Sequence, residues 1–348
     1  MKRVLGLIVS LALLTGLLYG CAGNSGNNSK TDAKESTPSS SQTSEPEKTP
    51  AAVQTNEPEK APSAQTAELA WPRTITDGAG HEVILPAKPE RISMLHTYPL
   101  EYFLALGVKP TATTNFNQLG EASALSESEL YGPYAADLDM MDLGSAVEVN
   151  IEAVLESKPD VIVTFAGQRG LDAIYDQLAA IAPVALIDYT APWQDQLAFV
   201  AEIVGKEDEV AAIVSDIEGT IAEANKTLEK YPERTFALFR TDGKNFIALG
   251  GAAYYNTFKI AKPKQFSAKA ENMSLEAIAD MNPYYIVFQH NHEASVAFVE
   301  SMASSSVWNS LDAVKNGRIY YFDEKMNTFG PLTMRLAAGK LTELYTKE

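Results

Sequence analysis

Few residues in this 348-residue chain combine the type and spacing needed for chemistry. His290 and His292 stand two positions apart. On a strand both rings would point the same way and could reach one zinc or manganese ion, with His96 and a carboxylate completing the shell. Only four histidines and one cysteine, Cys21, are present, so a disulfide framework and a cysteine-cluster metal site are both excluded. Arg169 and Arg240 carry guanidinium groups that can donate forked hydrogen bonds to paired oxygens. Glu152 and Glu276 both sit at the second position of a helix, where the dipole favours a carboxylate by about 0.3–1 kcal/mol. No Gly-x-Ser-x-Gly elbow, phosphate-cradling glycine loop or His-Glu-x-x-His occurs. The inventory suits a binder better than an enzyme.

The elements that must position these residues alternate between strand and helix. Arg91–Leu95 is a short apolar strand, and Tyr98–Leu106 has apolar residues at helical spacing and stops at Gly107. Short β runs and helical stretches then follow one another, the pattern of an α/β architecture. Asn150-Ile-Glu-Ala-Val-Leu-Glu-Ser-Lys-Pro159-Asp-Val-Ile-Val163 can be laid without a gap over Ser274-Leu-Glu-Ala-Ile-Ala-Asp-Met-Asn-Pro283-Tyr-Tyr-Ile-Val287, at an offset of 274 − 150 = 124. Both begin with an N-cap residue and leave the helix before a proline into a buried strand. A match this short also fits two generic helix–strand units, but its placement suggests one architectural element used twice, once per lobe. Between the copies, residues 192–230 lack an internal proline and predict a long connecting helix, bent near Gly205.

The N-terminal part reads differently. Met1-Lys2-Arg3 is followed by an uncharged apolar run, Val4–Tyr19, of 16 residues, which is short for a membrane span. Leu18-Tyr19-Gly20-Cys21 resembles a bacterial lipobox, with Tyr19 bulkier than usual, and assigns acylation to Cys21. Residues 22–70 contain no aromatic residue and repeat Glu-Pro-Glu-Lys at 45–48 and 57–60, the composition of a flexible tether. With 28 basic against 45 acidic residues the net charge is −17, or −17 − 2 = −19 after loss of Lys2 and Arg3. That acidity argues against a nucleic-acid partner. The expected organisation is a signal peptide at 1–20 and the lipidated cysteine and tether at 21–70. An N-terminal α/β lobe follows at 71–190, a connecting helix at 191–232 and a C-terminal α/β lobe at 233–348.

Pro86-Ala-Lys-Pro-Glu-Arg-Ile92, Glu101-Tyr-Phe-Leu-Ala-Leu-Gly-Val108, the two Glu-bearing repeats, Ile181-Ala-Pro183, Ala313–Tyr320 and Phe329-Gly-Pro331 share their order and spacing with a known family. On these residues the chain resembles a substrate-binding lipoprotein of an iron–siderophore or cobalamin ABC importer. The resemblance covers essentially all of residues 71–348. It implies two α/β lobes, each a mostly parallel sheet flanked by helices, joined by one long helix around a ligand cleft. It implies no catalysis and no cofactor, the ligand being a ferric siderophore, with cobalamin, haem or a free zinc or manganese ion as alternatives. The implied partners are a membrane permease, which Glu152 and Glu276 would dock through salt bridges, and a cytoplasmic ATPase. The protein is expected to act as a monomer, lipid-anchored on the extracytoplasmic face of a Gram-positive cell membrane.

In such a fold the cleft is lined by loops at the carboxyl ends of strands. That rule selects His96 and Tyr98, Gln168 and Arg169, Arg240, His290 and His292, with Tyr254, Tyr255 and Asn327 on later loops. The small number of cations among them favours a hydroxamate-type chelate over a trianionic catecholate.

Overall fold

The computed structural model describes residues 70–114 and 122–347. The leader, Cys21 and, up to residue 69, the tether lie outside the described residues. A hairpin of β1 (Arg73–Thr76) and β2 (Glu82–Leu85) opens the body. The buried Asp77 carboxylate holds its turn, accepting the N–H groups of Ala79 at 2.9 Å and His81 at 2.8 Å.

The first lobe is built on β3 (Ile92–Met94), β4 (Ala112–Thr113), β5 (Met141–Asp142), β6 (Val161–Phe165) and β7 (Val184–Ile187), in the order β5-β4-β3-β6-β7. Every pairing is parallel. Parallel strands covered on both faces read as unbroken apolar runs, and β6 and β7 do so. Val161, Val163, Ala185 and Ile187 feed one core, while Ile162, Val184 and Leu186 feed the core on the opposite face.

The second lobe uses β8 (Phe236–Thr241), β9 (Phe246–Ala248), β10 (Asn272–Met273), β11 (Tyr285–Gln289) and β12 (Ile319–Phe322), in the order β10-β9-β8-β11-β12. β8, β11 and β12 are parallel, whereas β9 and β10 form an antiparallel edge. Two sheets of mostly parallel strands flanked by helices are what the sequence pattern predicts.

The repeated units have the same local chemistry. Asn150 Oδ1 accepts the Ala153 N–H at 3.1 Å and Ser274 Oγ accepts that of Ala277 at 3.2 Å, capping the helices Ile151–Glu156 and Leu275–Met281. Lys158 and Asn282 then turn into left-handed backbone, with φ of 48° and 40°, just before the prolines. The strands that follow, β6 and β11, hold the same place in the two sheet orders.

The connector departs from expectation. It is two helices, Trp193–Val204 and Glu207–Leu228, separated by Gly205 in left-handed backbone with φ of 66°. The first belongs to the first lobe, where Leu197, Val200, Ala201, Ile203 and Val204 are core residues. Only the second spans the lobes. Its Val210, Ile213 and Val214 pack on the first core, and Ile217, Ala224 and Leu228 are buried in the second. The C-terminal helix Pro331–Thr346 also bridges, with Leu332 in the first core and Leu341, Leu344 and Tyr345 in the second.

Candidate functional site

The lobes meet along a seam tied by a buried carboxylate. Glu101, on the first-lobe helix Leu100–Ala105, accepts the N–H groups of Gly330 and Thr333 at 2.9 Å each, and the Thr333 hydroxyl lies 3.4 Å away. These donors open the C-terminal helix, where the dipole favours an anion. A Cβ on residue 330 would stand 2.4 Å from the Glu101 carboxyl carbon, so any larger residue there would push the carboxylate out of its place. Complete burial nevertheless raises the Glu101 pKa, the hydrogen bonds offsetting only part of the desolvation. Ser128 Oγ donates to Asp323 at 2.5 Å, and Lys340 pairs with Glu129, adding two further ties across the seam.

Two of the openings beside these ties hold residues expected at the site. The larger has a volume of about 760 Å³. Tyr98 and Tyr189 line it from the first lobe, Trp193, Gln196 and Glu218 from the two connector helices, and Asn256, Asn327 and Phe329 from the second lobe. The smaller, about 370 Å³, lies between Ser128 and Glu129 on one side and His290, His292, Tyr321 and Lys325 on the other.

The first-lobe wall is aromatic and held in place. Phe165, at the end of β6, meets His96, Tyr98 and Tyr189 edge-on with ring centroids 5.2, 6.1 and 5.4 Å apart. The Tyr98 hydroxyl donates to Gln196 Oε1 at 2.7 Å, and Gln196 Nε2 donates to the Ala191 carbonyl at 2.8 Å. Burial raises the Tyr98 pKa, so its hydroxyl stays a donor. His96 Nδ1 accepts the Tyr98 N–H at 3.0 Å, and burial lowers its pKa, which keeps the ring neutral. Such a wall offers flat apolar rings and a few oriented neutral dipoles, the equipment for binding a large ligand.

The residues expected at the site divide. Tyr98 and Asn327 line the larger opening, His290 and His292 the smaller, and His96 stands behind the aromatic wall. Gln168 does not face the cleft. It is buried as a loop staple, donating to the Leu95 and Ala146 carbonyls at 3.2 and 3.1 Å and accepting from Thr164. Tyr254 and Tyr255 are core posts. The Tyr254 hydroxyl donates to the Met326 carbonyl at 3.1 Å and that of Tyr255 to the Phe236 carbonyl at 3.0 Å. Arg169 is exposed and lines neither opening. Arg240 does not end its strand. It lies within β8, exposed and opposite Ile247 of β9, and it too lines neither opening.

The two-histidine pattern also resolves otherwise. β11 stops at Gln289, and Asn291 caps the helix His292–Ser301 by accepting the Ala294 N–H at 2.9 Å. His290 and His292 therefore do not share a strand face, and the His292 ring lies edge-on to Tyr321, centroids 5.1 Å apart. Among the described residues no group of three or more His, Cys, Asp or Glu side chains could hold a metal ion. Glu152 and Glu276 are both exposed on their capped helices.

Sequence reasoning missed Phe165, Tyr189, Trp193, Gln196, Glu218, Asn256 and Phe329. Tyr189 follows β7 as Tyr98 follows β3, so the strand-end rule could have found it.

Comparison with known proteins fits this architecture. The sequence profile of the periplasmic binding proteins matches residues 92–326. The chain belongs to that family. Like its relatives, this periplasmic binding protein is a solute binder and not an enzyme. It is 27% identical over 271 residues to the probable siderophore-binding lipoprotein YfiY of Bacillus subtilis, covering 72% of this chain and 80% of YfiY. It is 25% identical over 288 residues to the iron(3+)-hydroxamate-binding protein FhuD of the same organism, covering 76% of this chain and 84% of FhuD. Among solved structures, the triscatecholate siderophore-binding protein FeuA from Bacillus subtilis, complexed with ferri-bacillibactin, superposes with a TM-score of 0.62 at 19% identity. That match covers 79% of this chain and 98% of FeuA, and supports the two-lobe fold.

Proposed function

We propose that this protein is the extracytoplasmic receptor of an ABC importer, capturing a ferric siderophore between its lobes and delivering it to a membrane permease. The observation that carries the reading is the aromatic inter-lobe opening of about 760 Å³, within the usual range for a whole small-molecule ligand. A ferric chelate has already satisfied its metal, so it needs no protein ligands, only ring surface and hydrogen bonds. A hydroxamate-type chelate fits best. No Lys, Arg or His is among the described residues lining the larger opening, so a trianionic catecholate would meet no countercharge from them there. The proteins named above are a probable siderophore binder, an iron(3+)-hydroxamate binder and a triscatecholate siderophore binder, which supports a ferric siderophore as the class of ligand.

Delivery is assigned to Glu152 and Glu276, one exposed carboxylate per lobe at equivalent helix positions, pairing with basic residues of the permease. A lipid on Cys21 and the tether through residue 70 would hold the receptor at the outer face of the membrane. The test is a fluorescence titration of the chain beginning at residue 22 with ferric hydroxamates, ferric catecholates, ferric citrate, cobalamin, haem and Zn²⁺. Tight binding of a ferric hydroxamate is expected. Binding of cobalamin, haem or zinc alone would replace the siderophore reading.

A further inference from the structure

We propose that the larger opening selects a chelate of neutral or positive charge, with a protonated amine of the ligand paired to Glu218. This deepens the siderophore reading and rests on it. Among the described residues Glu218 is the sole charged one lining that opening. It projects from the lobe-spanning helix Glu207–Leu228 and is exposed, so an incoming group can reach it. Gln194 Nε2 donates to Glu218 Oε1 at 3.0 Å, orienting the carboxylate and leaving Oε2 without a partner among the described residues.

Three basic side chains of the C-terminal segment are already paired. Arg335 is engaged with Asp216 at 2.6 Å, Lys325 with Glu324 at 3.2 Å, and Lys340 with Glu129. Negative charge also lies nearby at Asp188, whose carboxylate accepts from Thr190 and is held below the usual carboxylate range. Trp193, Tyr189, Tyr98 and Phe329 line the same opening, and aromatic faces attract an ammonium group. A cleft that combines one oriented carboxylate, several rings and no basic side chain repels an anionic chelate and holds a cationic one.

The test uses two linear ferric trihydroxamates that differ only at the chain end, one with a free ammonium and one N-acetylated. Fluorescence titration of the soluble chain should show the ammonium form bound roughly three- to tenfold more tightly, a preference that shrinks as salt is raised. Glu218→Gln should bring the ratio of the two affinities close to one, and Glu218→Lys should invert it. Both substitutions lie at an exposed helix position, so the fold should tolerate them. Equal affinities in the wild type would overturn this inference and leave the siderophore reading standing, as would binding of a tricatecholate alone. A preference that survives Glu218→Gln would remove Glu218 from the site. Failure of every ferric chelate to bind would overturn the inference and the siderophore reading together.

Discussion

The two lobes place their strands in the same order yet treat their first strand differently. In the first lobe β3 is followed by the helix Leu100–Ala105, and the chain returns in β4 parallel to it. In the second lobe only residues 242–245 separate β8 from β9. So short a link can make only a hairpin, so β9 runs antiparallel. The turn is held by the Asp242 carboxylate, which accepts the N–H groups of Lys244 and Asn245 at 2.9 and 2.8 Å. One connector length therefore decides whether a first strand empties into the cleft or folds back along the sheet. His96 and Tyr98 reach the cleft wall, while Arg240 is left on a ribbon away from it.

The largest effect should come from the feature the lobes share. Replacing Glu152 and Glu276 together by alanine should all but abolish uptake into cells while ligand affinity stays near wild type. Transport of a radio-iron chelate beside a binding titration checks this, and a loss of affinity would move these residues into the cleft.

Tyr98→Ala tests the aromatic wall. Removing the ring should weaken ligand binding by about 2 kcal/mol, some thirtyfold. Tyr98→Phe, which keeps the ring and loses the hydroxyl's bond to Gln196 and its long contact with the Tyr102 hydroxyl, should cost about 1 kcal/mol. Equal affinities for wild type and Tyr98→Ala would place the ligand elsewhere.

The tie between the lobes makes a pH prediction. Burial raises the Glu101 pKa above its unfolded value. Its contribution to stability is then fully present below the ordinary glutamate range and is lost as pH rises through the raised folded value. Wild-type melting temperature, taken relative to Glu101→Gln, should be highest in mild acid and fall as pH increases. The opposite slope would mean that the Gly330 and Thr333 donors outweigh desolvation. Glu101→Ala strands those donors and should cost about 1–3 kcal/mol in mild acid.

Arg240→Ala should do least. On the exposed face of β8 it should change affinity less than about twofold. A tenfold loss would show that the hairpin folds over the ligand and that the contrast between the lobes does not extend to binding.

What could be read from the sequence was local. The paired helix–strand units were legible because an N-cap, a carboxylate and a proline act within one or two turns. The misplacement of Arg240 was avoidable, since Asp242-Gly243 is a strong hairpin signal and short strands flank it. Tyr254 and Tyr255 look like loop tyrosines in the sequence. Their burial depends on Met326 and Phe236, which come from separate elements. Glu101 is the extreme case. It stands within a motif visible in the sequence, yet the backbone it caps lies 229 residues downstream. Glu218 fell inside a helical run whose outward face only tertiary packing defines.

The pair of helices that cross between the lobes, Glu207–Leu228 and Pro331–Thr346, has a mechanical consequence. A single strand or loop between two bodies is a swivel, whereas two rods packed side by side form a splint that resists bending in most directions. Glu101 pins one rod to the first lobe at its very start. Capture of a ligand must then proceed by small rocking and side-chain rearrangement, without jaw-like closure. X-ray scattering profiles of the empty and loaded protein should nearly coincide. A permease that inspects this receptor would have to sense the ligand itself at the mouth of the cleft, because the spacing between Glu152 and Glu276 would scarcely change.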